Sequence, residues 1–256
     1  MRRIKTRSSS FHAVLLIAVA LIAISAVTTP AFCQKLGTNW RVYNYEPSTN
    51  FLWDINKPQA SQDGLLQFPI QPFLSTTTGS FVVYLYNNYN YDLTDSTLTA
   101  DASWTPGTYK TRSAPTCGTT GSTDCGAYVR FEFQDVTSGP YSQSDYWWST
   151  GTTTGTSLDL NASTSGNLNA SLNDRTLWSN LCGRLATDTA TGYTDCITGA
   201  IVTVSAYDAF TNAVKQVKQV GLAFGSAIRY ASGVAIQGGT PGTFDLKDYK
   251  ITAPSI

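Results

Sequence analysis

The chain has 256 residues, 17 basic and 17 acidic side chains, five cysteines and a single histidine, with no net charge. A neutral chain whose basic cluster lies in a leader-like N-terminal segment counts against nucleic acid as a partner. The lone histidine, His12, lies in a leader-like segment, so the folded part is expected to hold no imidazole; that excludes Ser–His and Cys–His catalysis and histidine-ligated metals.

Arg2, Arg3, Lys5 and Arg7 form a basic start, and Ala13 to Val27 is an apolar run short for a membrane helix. Two small-x-small sites follow, Thr29-Pro-Ala31 and Ala31-Phe-Cys33, and the second is preferred, with Gln34 as the new N-terminus. Residues 1–33 are therefore read as a signal peptide, with an uncleaved anchor as the alternative. Cleavage removes four of the 17 basic residues and none of the acidic ones, leaving 13 against 17, or about −4. About 220 residues remain, enough for one β-domain over 34–256.

Four cysteines stay after cleavage: Cys117, Cys125, Cys182 and Cys196. An even number in an exported chain predicts two disulfides, with three pairings open. Local pairing, Cys117–Cys125 and Cys182–Cys196, is favoured because each pair brackets a Gly/Thr/Asp-rich loop, closing it for ~2–3 kcal/mol. A zinc site is the rival, weakened by the missing histidine and C-x-x-C.

Lys35 to Asn50 reads as an entry strand plus loop, and Phe51–Ile55 as a short strand. Gly64–Ile70 holds Pro69, which argues for a sheet edge. In Phe81–Tyr86, strict alternation sets Phe81, Val83 and Leu85 against Val82, Tyr84 and Tyr86, and Asn87–Asp92 reads as a loop or turn. Ser96–Trp104 alternates with Leu98, Ala100 and Ala102 on one side. Ala127–Phe133 is the clearest strand: Ala127, Val129, Phe131 and Phe133 face a core, while Tyr128, Arg130 and Glu132 line the opposite, exposed face. Trp147 and Trp148 point opposite ways, so at most one is expected at the surface.

Tyr207, Phe210, Val214 and Val217 share a helical face, predicting a short helix near 205–218. Val220, Leu222 and Phe224 then alternate with Gly221, Ala223 and Gly225, a strand whose small side something approaches closely. Strands are expected around Ile228–Ile236 and Thr243–Ile251; a phase slip near Lys247-Asp248 predicts a β-bulge.

The run Asn212–Gly225, then Gly242–Tyr249 with the earlier Tyr146-Trp-Trp148, resembles the closing segment of galactose-binding-like jelly rolls, and is similar to secreted bacterial proteins that often carry a C-terminal sorting anchor. The resemblance implies a two-sheet antiparallel jelly-roll β-sandwich, exported to the envelope or medium, and supplies no catalytic residue. This chain ends at Pro254-Ser-Ile256 without an apolar anchor, so release or a periplasmic location is expected, with no membrane association after cleavage.

Sugar rings pack on aromatic side chains while Arg, Asn, Asp or Gln bond their hydroxyls. Tyr84, Tyr86, Tyr128, Arg130, Glu132 and Trp147 are the candidate ligand-binding residues. The first reading is a non-catalytic exported module that binds polysaccharide. The second is a structural protein whose tyrosines only pack, and the third a glycosidase using Glu132, although Phe131-Glu-Phe-Gln-Asp135 lacks the carboxylate row of laminarinase-like hydrolases. No cofactor is expected; structural calcium at Asn90, Asp92 and Asp95, or at Asp245 and Asp248, is the alternative.

Overall fold

The computed structural model describes residues 33–35, 40–47, 51–54, 66–75, 77–112, 126–136, 141–150, 155–227 and 230–253. Residues 1–32 of the segment read as a signal peptide, and Cys117 and Cys125, lie outside the described residues. The strands form two main antiparallel sheets packed face to face, the expected jelly-roll sandwich. In the smaller, five-stranded sheet the order is Cys33–Lys35, Gly242–Thr252, Thr97–Trp104, Ser165–Ser171, with Leu66–Ile70 also paired to Gly242–Thr252. In the larger, ten-stranded sheet the order is Trp178–Asn180, Tyr146–Ser149, Tyr128–Gln134, Val217–Gly225, Phe81–Tyr91, Val234–Ile236, Tyr109–Thr111. Trp40–Glu46 also pairs with Phe81–Tyr91, and Ser157–Asp159 with Tyr128–Gln134.

Alternation puts one face of each sheet in the core. Leu85, Leu222 and Phe131 stand abreast in the larger sheet. Phe244, Leu246, Tyr249 and Ile251 face them from the smaller one, all buried. Phe224 meets Phe244 edge-on at 5.1 Å, and Phe131 meets Tyr249 at 5.5 Å. Each such side chain contributes roughly 1.5–3 kcal/mol by leaving water. The bulge expected near Lys247-Asp248 falls between Leu246 and Asp248, and it lets both halves of the last strand point apolar residues inward.

Three expectations are corrected. The turn expected over Asn87–Asp92 is absent through Tyr91, because the strand runs unbroken from Phe81 to Tyr91 and pairs with Val217–Gly225 from Tyr84 to Tyr91. A register shift opposite Tyr43/Asn44 breaks the strict alternation, so Val82 joins Leu85 in the core. The short helix expected near 205–218 is present within those bounds. It spans Ala206–Ala213, with the Ser205 hydroxyl accepting from the Asp208 N–H as its cap. Val217 already begins a strand. The helix buries Ala206, Ala209, Phe210 and Ala213 and leaves Tyr207 exposed. Tyr230 lies in a turn, and among the described residues 230–236 only Val234–Ile236 forms a strand.

Between Trp178–Asn180 and the helix, residues 181–204 make a small lobe with a two-stranded ribbon. The Cys182–Cys196 disulfide closes it. Asp195, buried beside the bridge, accepts from the Ile197 and Thr198 N–H groups and from Gln143 N–H, tying the lobe to the sandwich.

Candidate functional site

Directly opposed residues of antiparallel strands share a face, so the register alone builds the outer face of the larger sheet. One row across it reads Arg41, Tyr86, Gly221, Glu132, Trp148, Ser179. The next reads Tyr43, Tyr84, Ala223, Arg130, Ser157. On the other side lie Asn88, Gln219, Gln134 and Tyr146. Five of the six residues expected to share a face, Tyr84, Tyr86, Tyr128, Arg130 and Glu132, do so. Trp147 does not. It points into the core, fully buried, edge-on to Phe210 at 5.0 Å.

Among the described residues, one side of the face is open. There a groove of about 500 Å³ is lined by Arg41, Tyr43, Tyr86, Asn88, Tyr89, Asn90, Lys218 and Gln219. The Tyr43 and Tyr86 rings stack at 5.0 Å, and the Tyr86 hydroxyl donates to the Tyr43 hydroxyl across 2.8 Å. Burial and that bond push the Tyr86 hydroxyl far above its ordinary pKa, so it stays a neutral donor and acceptor. Gln219 Nε2 donates to Asn88 Oδ1 at 3.3 Å, and Lys218 Nζ to Asn90 Oδ1 at 2.5 Å. The groove therefore presents an aromatic pair beside amides and two cations.

Farther across the sheet the same face is closed, which corrects the expectation that Arg130 and Glu132 stand in solvent: each is 1% exposed. They do not pair with one another. The Arg130 guanidinium lies between the Tyr128 and Tyr230 rings, 4.9 and 4.6 Å from their centroids, and donates to the Ser226 carbonyl. Burial lowers its pKa to about 10. Burial drives the Glu132 carboxyl well above the usual carboxylate range, and the neighbouring Trp148 indole offsets only part of that. Trp148, expected to compete with Trp147 for the surface, is buried as well, stacked on Tyr146 at 5.9 Å.

Sequence reasoning missed Arg41, Tyr43, Asn88 and Gln219. The alternation Trp40-Arg-Val-Tyr43 carried the signal for the first two, with Trp40 and Val42 buried between them. Among the described residues no group of three or more His, Cys, Asp or Glu side chains could hold a metal. The Asp92 carboxylate accepts from Thr94 N–H, and Asp245 accepts from Gln67 Nε2.

Fold and face together define a two-sheet jelly-roll sandwich with an aromatic and polar groove on the outer side of its larger sheet. No protein-family model and no curated protein matches the chain. Among solved structures it is similar to a β-glucanase of Bacillus licheniformis, at 12% identity over 89% of this chain and 99% of that one, with a TM-score of 0.35. It is also similar to a prokaryotic β-1,3-1,4-glucanase (lichenase) derived from a mouse hindgut metagenome, at 10% identity over 87% and 98%, with a TM-score of 0.32. Neither likeness singles out the galactose-binding-like group.

Proposed function

We propose that the protein is an exported, non-catalytic module that binds carbohydrate in the groove beside Tyr43 and Tyr86. The observation that carries this reading is the stacked tyrosine pair in an open cleft whose other lining groups are amides and cations. Such a surface offers C–H faces a π-partner and hydroxyls both donors and acceptors. Hydrolysis fits less well. Two-carboxylate glycosidases need a second acid within about 5–10 Å of the first, whereas burial and the Trp148 indole are what act on Glu132's titration. Export rests on the leader-like residues 1–33 and on the Cys182–Cys196 bridge, which persists in oxidising compartments.

The test is calorimetric titration with soluble polysaccharides, comparing the parent with Tyr86→Ala. Loss of one stacking ring should weaken binding by about five- to tenfold, on the scale of 1–1.5 kcal/mol for an aromatic contact, with little change in Tm. Absence of glycan binding at millimolar sugar, or equal affinity in the variant, would overturn the reading.

A further inference from the structure

The groove beside Tyr43 and Tyr86 has an uneven charge. Two of its lining side chains, Arg41 and Lys218, are cations and none is an acid, although residues 34–256 hold 13 basic against 17 acidic side chains. Among the described residues neither cation forms an ion pair with a carboxylate. The Arg41 guanidinium bonds the Tyr43 and Tyr86 hydroxyls instead, and Lys218 Nζ donates to Asn90 Oδ1. Two acids act on lining groups without lining the groove themselves. Asp135 feels Lys218, but burial and Asp145 dominate its titration. Asp92 acts on Tyr89 and accepts from Thr94 N–H.

The hydrogen-bonding capacity is uneven in the same sense. The side-chain oxygens of Asn88 and Asn90 already accept from Gln219 and Lys218. The guanidinium, the ammonium and the amide nitrogens supply donors alone. The groove is thus rich in donors and poor in free acceptors. A sugar hydroxyl is served by both kinds of partner, whereas a carboxylate or sulfate only accepts, and the charge strengthens each bond.

We infer that the groove takes an acidic glycan, whose carboxylate or sulfate groups meet Arg41 and Lys218 while its rings pack on the tyrosines. This rests on the carbohydrate reading and deepens it by giving the ligand its charge. The two cations do not close on one anion. Arg41 stands across from Tyr86, and Lys218 bonds Asn90, four positions further along the same strand. At about 3.4 Å per residue that is roughly 14 Å along the strand. The cations therefore mark two ends of the groove, and the ligand is an oligosaccharide with acidic groups on at least two sugars, laid along Phe81–Tyr91. Both cations are half-buried, so their attraction for it is partly sheltered from salt.

The test is calorimetric titration of the full chain, and of its Arg41→Gln and Lys218→Gln variants, with three kinds of polymer. Polygalacturonate and hyaluronan carry carboxylates, dextran sulfate carries sulfates, and soluble β-glucan and dextran are neutral. At least one acidic polymer should bind about tenfold more tightly than either neutral one, and each variant should weaken that binding by about tenfold with little change in Tm. Lys218→Gln, nearer the surface end of the groove, serves if Arg41→Gln does not fold. Tight binding of the carboxylate polymers makes the acid a uronate; tight binding of dextran sulfate alone makes it a sulfate ester. Neutral polymers bound as tightly as acidic ones, or acidic binding that neither variant weakens, would overturn the inference. Neutral binding lost in Tyr86→Ala but kept in both charge variants leaves the groove standing and the acidic ligand refuted. Acidic binding lost in both charge variants but kept in Tyr86→Ala leaves the anion contacts standing and the stacking refuted, and no binding of any polymer refutes both.

Discussion

A Cβ atom placed on Gly221 would lie 1.9 Å from the Leu85 carbonyl oxygen and 2.7 Å from the Tyr86 Cα. Both obstacles are backbone of a paired strand at the centre of the larger sheet, so neither can swing aside. Gly221→Ala is expected to cost about 3–5 kcal/mol or to prevent folding. Urea unfolding checks it, and a Tm within about 2 °C of the parent would contradict it.

Phe210 is the helix's one large anchor. It touches Phe133 at 5.8 Å, Trp147 at 5.0 Å and Trp178 at 6.2 Å, all inside the core. Phe210→Ala should cost about 3–5 kcal/mol, whereas exposed Tyr207→Ala, which loses only its stacking on Arg175, should cost under about 1 kcal/mol. Similar losses in thermal unfolding would show that the helix does not dock through Phe210.

Stability should fall as pH rises through the acid range. Burial raises Glu132 well above its ordinary 4.5, and burial together with Asp145 raises Asp135 to about 6. Below about pH 4 both carboxyls are protonated in the folded and unfolded chain alike. Above that the unfolded chain releases its protons while the folded chain still holds them, so each stabilising contribution is lost as pH climbs toward the folded value. Asp135→Asn should flatten the part of the slope up to about 6. Glu132→Gln should likewise flatten the slope above the ordinary glutamate range. Urea midpoints across pH decide this; a parent whose stability does not decline in that window would contradict it.

The Cys182–Cys196 bridge spans a sequence separation of 14. Closing a loop of that length is worth about 3 kcal/mol. Replacing both cysteines by alanine should open the 181–204 lobe to protease at a lower urea concentration. The sandwich should remain folded, since Trp178 and Phe210 hold their own core contacts. Simultaneous loss of the whole β signal in circular dichroism would show that the lobe is integral to the sandwich.

Much of the fold was legible because it is written in short-range alternation. Ala127–Phe133 declares its core face, Val220–Phe224 its small side, and Leu246/Asp248 its bulge, each from spacing within one strand. The site was half legible for the same reason. Period two says that Tyr84, Tyr86, Arg130 and Glu132 leave the core, but not what lies beyond them.

Local spacing thus set which residues turn inward and which cysteines close the 182–196 loop, since both depend on neighbours within a few residues or one short loop. Assembly of the strands decided the rest. Tyr230 reaches Arg130 and Trp148 from about a hundred and about eighty positions away in the chain, and Glu132 is buried rather than wetted. Arg41 stands across from Tyr86 only through pairing of separate strands. Burial and partnership are properties of the surroundings in space, and a one-dimensional pattern carries direction without surroundings.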